Sequence, residues 1–152
     1  MKKVVLMGAL LVAAVAANAA SFKWSASGIT GYNTEDLYSG TATLYAYAVG
    51  GSAADAFAVN SATMSEGAIL AADTVFSSDS LAGGSTYNFF YTMEDAAGNL
   101  FTSSLKTVRA QATATVPIGF ASGGSWAAVP EPTSGVLLLL GMGALALRRK
   151  QK

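Results

Sequence analysis

A chain that performs chemistry needs a nucleophile, a base or a metal ligand, and this sequence offers a narrow choice. Its 152 residues contain no histidine and no cysteine, which removes the Ser-His-Asp and Cys-His nucleophile systems together with the usual zinc and copper ligand sets. Carboxylates and serines remain. Ser103-Ser104-Leu105-Lys106 has the Ser-x-x-Lys spacing in which a lysine deprotonates a serine nucleophile. That chemistry needs the serine at a helix start, whereas the local period-two pattern is a strand's and places Ser103 and Lys106 on opposite faces. The acidic pairs Glu35-Asp36 and Glu94-Asp95 have the groups for half of a glycosidase acid/base set or for calcium. No Asp-x-Asp-x-Asp run accompanies them, and carboxylates flanking turns ordinarily just solvate them. Gly141-Met142-Gly143-Ala144-Leu145-Ala146 matches the dinucleotide fingerprint but lies inside an apolar tail with no preceding strand. Tyr45 and Tyr47 share a threonine-lined strand face on which rings could stack against sugars, although cross-strand packing is the more frequent use of such a pair. The expectation is a non-enzyme with no catalytic residue, no metal site and no cofactor.

The charge pattern narrows the partners. Lys2, Lys3, Arg148, Arg149, Lys150 and Lys152 hold six of the nine positive charges, so the formal neutrality of the chain comes from its ends. Between residues 20 and 129 stand three cations (Lys23, Lys106, Arg109) and eight acids, a net of −5. An acidic middle without clustered cations argues against nucleic acid. Without cysteine there is no disulfide framework, and stability must come from a buried core.

The ends carry the most specific patterns. Residues 1–19 combine Lys2-Lys3, an apolar run and the small-x-small site Ala17-Asn18-Ala19, the composition of a signal peptide for signal peptidase. Cleavage is expected after Ala19, with Ala20 as the second choice; an uncleaved anchor would need a longer run, about 20 residues. At the other end, Pro130-Glu131-Pro132 precedes an apolar stretch and the basic end 148–152. The prolines fix an extended, accessible backbone. The twelve residues 136–147 would span about 18 Å as a helix, short of a hydrocarbon core of about 30 Å, so small residues from 134 onward must enter too. Arg148, Arg149 and Lys150 would stop transfer and hold the end in the cytoplasm, leaving the preceding domain outside the inner membrane.

In that order, Pro-Glu-Pro, apolar helix and arginine-rich end, the tail resembles the sorting domain of PEP-CTERM proteins. The resemblance covers residues 129–152 only. It implies recognition of Pro130, Glu131 and Pro132 by exosortase, an integral-membrane cysteine transpeptidase-like enzyme of Gram-negative bacteria that make extracellular polysaccharide. It also implies a precursor in the inner membrane and a mature protein at the cell surface or in the extracellular matrix. The plain alternative is a single-span anchor that is never processed.

The intervening residues 20–120, about 110 with their flanks, suit one domain. Short alternating stretches with aromatics predict strands rather than helices. Phe22 and Trp24 share one face of residues 21–27, and residues 41–49 alternate Thr41, Thr43, Tyr45 and Tyr47 against Ala42, Leu44 and Ala46. Residues 52–60 are expected to form a short helix capped by Ser52, burying Ala53, Ala54 and Phe57. Residues 86–109 predict a β-hairpin with Tyr87, Phe89, Tyr91 and Met93 on one face and a turn at 95–99 in which Gly98 takes positive φ. This hairpin resembles those of bacterial immunoglobulin-like surface domains, which implies a small immunoglobulin-like β-sandwich. A last strand over 112–120 must place Pro117 on an edge or a bulge, and 121–129 is expected to be a spacer.

Overall fold

The computed structural model describes residues 19–128. Among the described residues nine strands form two sheets, with two single-turn 3-10 segments beside them, so the domain is all-β as expected. Residues 1–18 of the expected signal peptide and the membrane helix expected at 134–147 lie outside the described residues. Among the described residues no helix is long and apolar enough to cross a membrane.

The small sheet has β1 (Ala19–Ala26) at its centre, antiparallel to β4 (Val75–Ala82) and parallel to β8 (Val116–Phe120). The large sheet runs β3 (Phe57–Met64), β2 (Gly40–Ala48), β5 (Thr86–Glu94), β6 (Leu100–Ser103), β9 (Gly124–Ala127), with β7 (Lys106–Arg109) continuing beside β5. The central strands β1, β2 and β5 obey the period of two. Ala20, Phe22 and Trp24 of β1, Ala42, Leu44 and Ala46 of β2, and Phe89 and Tyr91 of β5 have no exposed surface. Phe22 meets Phe89 at 5.3 Å and Trp24 meets Tyr91 at 5.7 Å between ring centroids, so the two sheets close face to face over an aromatic core. A polar tie crosses the same layer, where Trp24 Nε1 donates to Asn60 Oδ1 at 2.8 Å.

The hairpin at 86–109 forms as expected, with β5 paired to β6 and then to β7. Its turn is held by the Asp95 carboxylate, which accepts from the amides of Ala97 and Asn99 at 2.9 and 2.8 Å and from Asn99 Nδ2 at 2.7 Å, while Gly98 takes φ 85. These bonds, that of the Asn99 side chain first, hold the Asp95 carboxyl below the usual carboxylate range. Pro117 falls in β8, at an edge of the small sheet, where its missing donor costs no ladder bond.

Two expectations about secondary structure are corrected. Residues 52–60 do not form a helix: Ser52 does cap, its Oγ accepting from Ala54 N at 3.2 Å, but the turn ends at Asp55, Ala53 and Ala54 are exposed, and Phe57 starts β3. Strand pairing with β2 outweighs the modest helix preference of alanine. The stretch 121–129 is not merely a spacer, because Gly124–Ala127 adds β9 to β6. Trp126 seats it, packing on Phe101 at 5.4 Å and donating Nε1 to Thr30 O at 3.1 Å. Gly124 is required there, since a Cβ would lie 2.4 Å from the Phe101 ring.

Candidate functional site

The outer face of the large sheet gathers three aromatic side chains away from the core. On β2, inward Ala42, Leu44 and Ala46 force Thr41, Thr43, Tyr45 and Tyr47 outward. Tyr45 pairs with Phe90 of β5, the rings stacked at 5.4 Å and 13°, and Tyr47 lies edge-on to the same ring at 6.4 Å. The three rings form a half-buried patch. Its surroundings are hydroxyls and amides: Thr92 lies between Thr43 and Thr102 in the ladder, Thr43 Oγ1 and Ser61 Oγ are 3.2 Å apart, and Thr107 Oγ1 donates to Asn88 Oδ1 at 2.7 Å. An apolar ring platform edged by neutral hydrogen-bonding groups has the chemistry of a sugar-stacking surface. Phe90 was not singled out by the sequence; an aromatic at an even position of β5, among the polar Asn88 and Thr92, was the available signal.

The other residues with chemical spacing are accounted for structurally. Ser103 and Lys106 do not lie on opposite faces, because an extra residue in the break at 104–105 shifts the register and sets Lys106 opposite inward-facing Phe89. Ser103 is occupied: its Oγ accepts from Tyr91 N at 2.9 Å and donates to Ser104 O at 3.0 Å, filling the backbone gap that the break leaves. Glu94 contributes its backbone oxygen to Tyr38 OH at 2.8 Å, and burial raises the Tyr38 phenol above its ordinary value. Glu35 and Asp36 are exposed in a loop, and among the described residues no three acidic side chains gather around a point that could hold a metal ion.

The two chain ends of the domain leave from opposite poles. Phe22 lies over Phe89 and Trp24 over Tyr91, so β1 runs in the direction of β5 and begins beside the start of that strand. β9 ends at Ala127 opposite Leu100, which pairs with Glu94 at the far end of β5. About seven strand residues, or roughly 23 Å, separate the poles. Ala19 is the first residue of β1 and pairs with Ala82, and Ala20 behind it is fully buried. Ala17, Pro130, Glu131, Pro132, Arg148, Arg149 and Lys150 lie outside the described residues.

Residues 128–151 match the protein family described as the PEP-CTERM protein-sorting motif. The match begins one residue after β9 ends. It agrees with the resemblance read from the tail and supports an exported protein sorted by an exosortase-type system. No curated protein and no solved structure matches the chain.

Proposed function

We propose that the protein is an exported, non-enzymatic component of the cell surface or extracellular matrix, delivered by an exosortase-type system and associated with exopolysaccharide. The sorting-motif match at 128–151 is the observation that carries this reading. Pro130-Glu131-Pro132 supplies the extended stretch an enzyme in the membrane plane would bind, and Arg148, Arg149 and Lys150 retain the end on the cytoplasmic side. The domain is proposed to be immunoglobulin-like: a two-sheet sandwich stabilised by an aromatic core suits a domain that must persist outside the cell without disulfides.

The fold bears on how processing proceeds. Signal cleavage after Ala19 removes the residue paired with Ala82 and keeps the buried Ala20, whereas cleavage after Ala20 also removes the residue paired with Ser78. Pro130 lies three residues past Ala127, within about 10 Å of chain. The sorting enzyme would thus work against the pole of a folded domain. Intact-mass measurement of the protein from its own cells tests the reading. A mass lacking both residues 1–19 and the C-terminal segment is expected; a mature form that retains residues 130–152 would contradict it.

The second reading, a carbohydrate-binding module on a plain membrane anchor, is favoured by one observation: Phe90 completes a three-ring platform with Tyr45 and Tyr47. Retention of the protein in a gel containing the host's own exopolysaccharide, lost on Tyr45→Ala with Phe90→Ala, would establish sugar binding. Equal migration with and without the polysaccharide would remove it.

A further inference from the structure

Sheet edges expose unpaired N–H and C=O groups, and proteins guard them with charges, prolines, bulges or shortness. Among the described residues, four free edges are guarded. β4 carries Asp79 and an irregular register next to β1, and β8 carries Pro117. β9 has only four residues, and β7, equally short, carries Lys106 and Arg109. β3 differs from them beyond its bulge at Val59, where residues 60–64 pair regularly with β2 and carry no such guard. It has eight residues with no charge and no proline, and among the described residues no strand lies beyond it. Phe57, Val59 and Ala62 on this strand are only partly buried, although they pack against the core. The apolar layer therefore runs out to the bare edge.

We propose that β3 is a self-pairing edge, through which two copies of the protein join their large sheets antiparallel about a two-fold axis at Ala62. The register follows from the strand itself. Leu44 pairs with Asn60 and Tyr45 with Ala58, so Val59 is an extra residue and the regular part of β3 is 60–64. A two-fold axis between residues would set inward side chains against outward ones, which a half-buried strand does not permit. Centred on a residue and using the whole regular stretch, the axis falls on Ala62, a small side chain that can face its own copy. Asn60 then lies opposite Met64, and exposed Ser61 opposite exposed Thr63, extending the hydroxyl row of Thr92, Thr43 and Ser61 across the interface. The domain is acidic, yet the stretch 60–64 that would pair carries no charge, so no like charges meet across it. A matrix component needs a means of association, and this edge supplies one whether or not the sorting reading holds.

The register gives a specific test, because the chain has no cysteine of its own. Two full-length copies are produced together in the native host, one with Ser61→Cys and the other with Thr63→Cys, and mild oxidant is added. Covalent dimers containing one copy of each are expected at ten-fold or more the yield from either variant alone, since like positions would lie roughly 8 Å apart, beyond disulfide reach. Sedimentation of the purified protein provides the second arm. Ser61→Lys with Thr63→Lys should give monomers, whereas Ser61→Lys with Thr63→Glu, an equal load of substitution, should restore the dimer by setting opposite charges face to face. Absence of the mixed covalent dimer, equal yields from the single variants, or cross-linking to a different protein would overturn the proposal.

Discussion

The two faces of β5 carry similar side chains under different conditions. Tyr87, Phe89, Tyr91 and Met93 point inward and are covered by the small sheet, while Phe90 points outward, stacked on Tyr45 with water on its open side. The inner rings are held by burial, which removes large apolar areas from water. The outer rings gain only a cross-strand contact and leave an apolar surface available to a partner. Ring stacking alone thus does not distinguish structure from function; whether a second layer covers the rings does.

Truncation on the two faces should separate them most sharply. Trp24→Ala opens a cavity at the centre of the inner layer and removes the donor to Asn60, so it should lower stability by about 3–5 kcal/mol, read from denaturant midpoints of the mature protein. Phe90→Ala on the outer face should lower it by about 1 kcal/mol or less. Comparable losses at the two sites would break the distinction.

Tyr91 sharpens it from the polar side. Its ring is fully buried and its hydroxyl has no hydrogen-bond partner among the described residues. Tyr91→Phe should therefore keep the packing and raise stability by about 1 kcal/mol. Burial pushes the phenol up to about 12 from 10.0, so the fold favours the protonated form. That contribution is complete below pH 10 and is lost as pH rises through about 12. An alkaline denaturation series should show a shallower limb for Tyr91→Phe than for wild type; identical limbs would contradict this.

A smaller effect is expected at the hairpin turn. Asp95 is held ionised by Asn99 and by the amides of the turn, so its contribution is present above the ordinary carboxylate range and is lost as pH falls through its lowered folded value. Asp95→Asn should lose stability near neutral pH and show less further loss on acidification. A variant that titrates like wild type would place the acid limb elsewhere.

Much of this architecture was legible in local pattern. The hairpin could be read because Asp95, Gly98 and the alternation of β5 act within a few residues of one another. The helix expected at 52–60 was a misreading of alanine-rich composition, since what makes Phe57–Met64 a strand is β2, ten or more residues away. β9 escaped notice because Gly123, Gly124 and Ser125 have a linker's composition; only Trp126 signalled a buried attachment. The outward placement of Tyr45 and Tyr47 is legible in the alternation of β2. Phe90, from another strand, joins them only once the register of β2 against β5 is known. The sorting segment was legible because its pattern is linear.

The measurement bearing most directly on the central claim concerns that segment. Replacing Pro130, Glu131 and Pro132 with alanines leaves the apolar run and Arg148-Arg149-Lys150 intact, so membrane insertion should persist. In an exosortase-containing host, fractionation should then find the variant accumulated in the inner membrane at a mass that includes the tail, while wild type matures and leaves. A variant that matured and reached the surface like wild type would contradict sorting through this motif.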